Sequence, residues 1–244
     1  MNLKELGARI KEQRERRGLR QADIASALQI SAQAVSKWER GENAPDISVL
    51  ANLARFLDVT VEWLLGGTSA ATDTFEACVF LTSLNGFAEK AASMRPKDVA
   101  SWANGIYYTV TEALRRFDGV PVKCLGDGFL GFFTGRDPAG RALDAALQAR
   151  NLHDHNEMVI TLHHGEIYLG TMGHPDYARP DILGGTVNTA FLVMPWVAKH
   201  CLSGIGLTAP ARDRLKGRRD VKKCGEVEVL GLSAPVIIYE PDMG

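Results

Sequence analysis

The sequence is poor in the features that mark membrane, secreted or disulfide-built proteins. No apolar run approaches the length of a membrane span. The N-terminus is charged from Lys4 onward and carries no apolar signal core. Cysteine is scarce: Cys78, Cys124, Cys201 and Cys224 are the only ones in 244 residues, far apart and without a CxxC pair. They read as reduced, mostly buried thiols of a cytosolic protein. Net charge is also nearly absent, at −1, so the chain as a whole has no electrostatic drive toward nucleic acid, and any such drive must be local. No internal repeat or low-complexity tract stands out. What remains is an ordinary globular composition, 45% hydrophobic and 23% charged, with a length that suggests one large or two modest domains.

The first 66 residues read as a compact all-α unit of five helices. Leu3, Leu6, Ile10 and Arg14 fall at helical spacing, with Gly18 as the stop. Gln21 to Leu28 forms a second helix. Ser31 is a natural N-cap for a third, Ala32 to Arg40, ending at Gly41. Pro45 and Asp46 open a fourth, Ile47 to Leu57, and Val61 to Leu65 is a short fifth. The order Gln21-x-x-Ile-Ala25, Ile30-Ser31, Val35-Ser-Lys-Trp-Glu-Arg-Gly41 resembles the helix-turn-helix of phage repressors, Cro and the xenobiotic-response-element family. The alternative is a helical interaction domain that does not touch DNA. The resemblance implies that the third helix enters the major groove of double-stranded DNA. Gln33 then suits adenine, Lys37 guanine, and Ala32 a thymine methyl, with Ser36 one turn beyond Gln33 on about the same face. Gln21 is expected on a phosphate, as is Arg40 or Asn43. Val35 and Trp38 read as core, and Glu39 as a brace between helices. Nine basic residues oppose six acidic ones between Lys4 and Asn43, a modest excess that favours two half-sites and a dimer.

Residues 67–74, small and polar, read as a linker. From 75 to 240 apolar runs alternate with helical patterns. They run from a strand over Ala77–Leu81 and a helix over Lys97–Phe117 to a helix over Asp137–Arg150 and a strand pair or bent strand over Met158–Met172. Then follow a helix over Gly185–Lys199 and strands at Gly206–Thr208, Val227–Leu230 and Pro235–Tyr239. This pattern suggests an α+β sandwich of ferredoxin-like type.

Two stretches carry the chemistry of this second domain. In Lys123-Cys-Leu-Gly-Asp-Gly-Phe-Leu-Gly-Phe-Phe133, two strand-like runs flank an Asp-Gly step, which reads as a tight hairpin with Asp127 at its tip. There Asp127 either meets a cation or only helps to make the turn. The other stretch is Asp181-Ile-Leu-Gly-Gly-Thr-Val-Asn-Thr-Ala190. Together with His163-His-Gly-Glu-Ile-Tyr-Leu-Gly170 and Val229-Leu-Gly231, they resemble class III nucleotidyl cyclases over most of residues 75 to 240. His163 and His164 point to opposite faces of a strand and read as one buried and one surface histidine, not a chelating pair.

The resemblance implies two metal ions held by two carboxylates, with a lysine and an aspartate on the purine and an asparagine on the ribose. It also implies an arginine on the transition state and a lysine on the terminal phosphates. Lys123, Asp181 and Asn188 match the base- and ribose-reading groups, and Asp127 matches one metal carboxylate. The other carboxylate falls on Ser83, the arginine on Leu192 and the phosphate lysine on Leu230. The resulting expectation is a homodimeric transcription regulator on a pseudo-palindromic operator, cytoplasmic and nucleoid-associated, with no required cofactor. Its degenerate cyclase-like domain would sense a small-molecule effector, an adenine nucleotide being one possible ligand. The alternatives are an active adenylate cyclase with a DNA-binding domain, and a ligand-free dimerisation module.

Overall fold

A computed structural model describes residues 3–66, 74–152, 157–174, 177, 179–216 and 220–242. Of the linker expected over 67–74, all but Thr74 lies outside the described residues. The chain packs as two compact units. The first comprises Met1–Phe75 with Thr134–Arg136 and Ile167–Ile182, and the second comprises Glu76–Phe133, Asp137–Glu166 and Leu183–Gly244.

The first unit holds five helices: α1 (Leu3–Arg16), α2 (Gln21–Leu28), α3 (Ala32–Glu39), α4 (Ile47–Leu57) and α5 (Val61–Leu64). Short polar side chains start three of them. Ser31 Oγ accepts from Ala34 N at 3.1 Å, Asp46 Oδ1 from Ser48 N at 2.8 Å, and Thr60 Oγ1 from Trp63 N at 3.0 Å. Each bond satisfies an otherwise orphaned amide of a first turn and contributes about 1 kcal/mol. Leu6, Ile10, Ile24, Val35, Leu50, Leu53 and Leu57 close the core. Gly7 lets α1 lie against the end of α3, since a Cβ there would fall 2.2 Å from Trp38 O.

A mixed sheet with its helices follows the helical region; most of it lies in the second unit, whereas 74–75, 167–172 and 179–182 fall in the first. Its elements are β1 (Thr74–Leu84), α6 (Phe87–Ser93), α7 (Pro96–Arg116), β2 (Val120–Leu125), β3 (Gly128–Phe133), α8 (Pro138–Asn151) and β4 (Met158–Met172). The chain continues through β5 (Arg179–Leu183), α9 (Gly185–His200), β6 (Ile205–Thr208), α10 (Ala209–Arg212), β7 (Val221–Val227) and β8 (Val236–Pro241). The strand order is β2-β3-β1-β4-β6-β8-β7, with β5 paired to β4. β4 and β6 run parallel, whereas the β1–β3, β2–β3, β6–β8 and β7–β8 pairs are antiparallel. Apolar faces of α7 and α8, among them Ile106, Val110, Leu114, Leu143 and Ala146, bury Phe80, Phe133, Ile160 and Leu207. Gly206 carries no side chain where Val197 of α9 would collide with it at 2.4 Å. The result is the expected helical unit followed by an α+β domain.

Several details differ from the sequence expectation. A helix, α6, follows β1 where no element was assigned, because Ala88-Glu-Lys-Ala-Ala92 are good helix formers. β4 is one strand of 15 residues, and α10 and β5 are additional. The strand expected over Val227–Leu230 lies earlier, at Val221–Val227. As the last strand of the sheet it needs no continuous apolar face, so Lys222, Lys223 and Glu226 fit it. Of the cysteines, Cys78 and Cys201 are buried, Cys224 is half-buried and Cys124 is exposed on β2. Among the described residues no helix is long and apolar enough to cross a membrane.

Candidate functional sites

The β2–β3 hairpin and the end of β1 build the first site. Gly126 takes the turn at φ 65°. Gly128 passes so close to β1 that a Cβ would meet Thr82 O at 2.7 Å. Ser83 pairs with Gly128 across the ladder, and Leu84 N donates to Asp127 O at 2.6 Å. This register brings the Ser83 hydroxyl to 3.5 Å from Asp127 Oδ2. Asp127 is exposed, and among the described residues no group of three potential metal ligands includes it. The donor set here is therefore one carboxylate and one neutral hydroxyl. Hard divalent cations favour several oxygen ligands, commonly with negative charge, so these residues do not fit a pair of metal ions. Beneath the turn, Tyr107 Oη donates to Gly126 O, and burial pushes its phenol up to about 12, with Cys124 and Asp127 nearby adding to the rise.

Lys123 stands exposed on β2 of the same hairpin, opposite Leu130. Asp181 lies half-buried on β5, where its Oδ1 accepts from Ile182 N at 2.9 Å. Asn188 is exposed in the first turn of α9. Leu192, one helical turn further and hence on the same face, is 41% exposed. Leu230 is 96% exposed in the turn after β7, not on a strand.

Helix α3 forms the second site. Val35 and Trp38 are buried, while Ala32, Gln33 and Lys37 are exposed and Ser36 is half-buried. Arg40 donates to Ser36 Oγ and pairs with Glu42 at 2.6 Å in a surface ion pair. Asn43 Oδ1 accepts from Ala44 N at 2.9 Å. Glu39 does brace the helices. Its carboxylate takes Arg14 Nε at 2.6 Å and Nη2 at 3.1 Å, and Gln21 Nε2 at 2.8 Å. The Glu39 bond is the main reason the Arg14 guanidinium is held above its ordinary range. Gln21 is thereby aimed from the start of α2 with its second amide hydrogen still to place.

Residues 70–239 match the adenylate and guanylate cyclase catalytic domain family. The chain belongs to this family. Residues 10–64 match a helix-turn-helix family. Over 59 residues the chain is 46% identical to the HTH-type transcriptional regulator DdrOP3 of Deinococcus deserti, covering 24% of this chain and 46% of that protein. Over 73 residues it is 33% identical to repressor protein C2 of Salmonella phage P22, covering 30% of this chain and 34% of that protein. The match thus spans less than half the length of either relative. The cyclase domain resembles the guanylate cyclase domain of RhGC from Catenaria anguillulae, solved with GTP. The TM-score is 0.62 at 22% identity, over 70% of this chain and 98% of that one. A bacterial light-regulated adenylyl cyclase gives a TM-score of 0.61 at 16% identity, over 69% of this chain and 52% of that one. At such identity these likenesses establish the fold.

Within this cyclase fold both histidines of β4 are withdrawn from water, contrary to the expectation of one buried and one at the surface. β4 lies inside the sheet, between β1 and β6; Ile160 and Leu162 join the core with α7 and α8, while Thr161 Oγ1 reaches Met194 Sδ of α9 at 3.2 Å. His164 is 5% exposed, with Nε2 3.0 Å from Glu76 Oε2. His163 is half-buried and bonds Thr208 Oγ1 through Nδ1 at 2.7 Å; burial, aided by His164, lowers it to about 4. Sequence reasoning also missed that Cys201 and Cys224, 23 positions apart, bring their sulfurs within 3.2 Å. No spacing signal exists for such a pair, because β7 reaches α9 only through the fold.

Proposed function

We propose that this protein is a DNA-binding transcription regulator whose cyclase-fold domain dimerises and senses a nucleotide or related small ligand without efficient turnover. The observation that carries this reading is the Ser83 hydroxyl standing 3.5 Å from Asp127 Oδ2, in the position where the resemblance calls for a second carboxylate. A neutral oxygen there offers no charge to a second cation. Leu192 and Leu230 likewise place apolar groups where a transition-state arginine and a phosphate-binding lysine are implied. Charge-assisted bonds to phosphate are roughly twice as strong as neutral ones, so their loss weighs most on a triphosphate. Lys123, Asp181 and Asn188 keep the polar groups suited to an adenine nucleoside, which favours a less charged ligand such as a cyclic nucleotide or nucleoside. Through α3, Gln33 and Lys37 read base edges, and Gln21 and Arg40 or Asn43 hold phosphates. A ligand regulates DNA binding here by favouring one dimer arrangement over another.

The test is incubation of the full chain with ATP or GTP and magnesium or manganese, alongside calorimetry with ATP, cyclic AMP and adenosine. The expected result is no pyrophosphate release above background, with cyclic AMP or adenosine bound more tightly than metal–ATP. Metal-dependent release of pyrophosphate with a cyclic product would overturn this reading and make the chain an active cyclase. Binding of none of the three would leave the domain a dimerisation module.

A further inference from the structure

Two of the four scattered cysteines meet a buried carboxylate at one point of the fold. Cys201 caps the C-terminus of α9, its amide bonded to Val197 O at 3.0 Å. Cys224 sits at an irregularity of the β7–β8 ladder, between Lys223 and Gly225. Such a bulge re-aims the side chain of the extra residue, and here Cys224 Sγ lies 3.2 Å from Cys201 Sγ and 3.2 Å from His200 O. The neighbouring Gly225 permits the approach, since a Cβ there would fall 2.8 Å from the Trp196 ring of α9. Glu240 of β8 completes the group. It is only 5% exposed, and Oε2 accepts from Ser203 N at 2.9 Å, which leaves most of the carboxylate's acceptor capacity unused. One ligand atom from each of the three residues lies within 4.8 Å of the others.

We propose that Cys201, Cys224 and Glu240 form a binding site for a thiophilic divalent cation of the zinc class, with a fourth position open to water. Two sulfurs and one carboxylate oxygen suit zinc, whereas calcium and magnesium favour oxygen alone. With zinc–sulfur bonds of about 2.3 Å, two sulfurs of a tetrahedral site stand about 3.8 Å apart. From 3.2 Å the sulfurs need open by only about 0.6 Å while the carboxylate closes. A bound cation deprotonates a coordinating thiol outright. Bound metal ties the end of α9, whose first turn carries Asn188, to the β7–β8 edge of the sheet.

The experiment uses the full chain, stripped of metal under reductant and titrated with zinc against a chromophoric chelator, then with cobalt as a spectroscopic probe. About one zinc per chain is expected, with proton release on binding and weaker binding at lower pH. Cobalt should give thiolate charge-transfer absorption. Cys201→Ser and Cys224→Ser should each lower zinc affinity by more than the roughly 10- to 100-fold that loss of an outer-shell partner costs. Glu240→Gln should lower it less, and Cys124→Ser, at the exposed thiol, should leave it unchanged. Circular dichroism of each variant separates loss of the site from loss of the fold, and half-buried Cys224 is the safer position to change. The proposal is overturned if the chain retains no zinc, or if the cobalt absorption survives both serine variants. It is equally overturned if peroxide links Cys201 to Cys224 as fast with zinc present as without, since the pair would then be a redox couple.

Discussion

Gln33 and Lys37 are the exposed polar side chains of α3 that the buried Val35 and Trp38 leave facing outward. Gln33→Ala and Lys37→Ala are each expected to weaken specific DNA binding by roughly 1–3 kcal/mol and to relax preference at one base position. Selection of bound oligonucleotides for each variant measures both effects. Gln21→Ala should instead weaken binding about evenly across sequences. A different residue sets a pH response. His163 has an ordinary value of 6.5 and is lowered to about 4 in the fold, so the unfolded chain binds more protons between those values. Its contribution to stability is present in full above about pH 6.5 and is lost as pH falls toward 4. Denaturant titrations across that window should show stability falling with acidity, and His163→Gln should flatten the slope. The Glu39 brace was legible at this scale, because a carboxylate on an inner helix face of a basic segment needs a cation. The withdrawal of both histidines was not, because the alternation of a strand says nothing about how many of its faces are covered.

Among the elements, the helices of the first unit were read to within a residue or so, because apolar period, caps and left-handed stops mark the same boundaries. The close approach of α1 to α3 depends on one atom that is missing. A Cβ on Gly7 would meet backbone at Trp38 O and Glu39 O, at 2.2 and 2.8 Å, and backbone cannot turn aside as a side chain can. Gly7→Ala is therefore expected to destabilise the first unit by about 1–3 kcal/mol despite the better helix propensity of alanine. Thermal melts followed by circular dichroism, with DNA binding measured alongside, test this; an unchanged or raised melting temperature would show that the helices separate freely. In the second unit, the hairpin was legible from its Asp-Gly step, and so was α9. The edge strand β7 was not, because a search for apolar runs finds buried strands and passes over one made of lysine and glutamate.

At the scale of the whole molecule, the composition foretold a globular chain with no overall charge bias, and the motif order foretold a helical unit before an α+β domain. A homodimer was expected from the resemblance and from the modest basic excess of the first segment, but the residues that would meet a second copy carry no sequence motif of their own. α9 leaves Phe191 and Leu192 exposed, at 42% and 41%, which suits a protein that pairs with itself. The full chain is expected to sediment as a dimer at micromolar concentration, and Phe191→Glu to weaken self-association by about tenfold, or ~1.4 kcal/mol. A monomer at all concentrations would remove the basis for two half-sites. The composition of the sheet edges limits how any copy can arrive. β2 carries Pro121, which has no amide to offer, β5 carries Pro180, and β7 presents Lys222 and Lys223 beside a break in its ladder. Strand addition, the route by which sheets grow into fibres, therefore meets a missing amide or a charged, interrupted ladder at each of these edges.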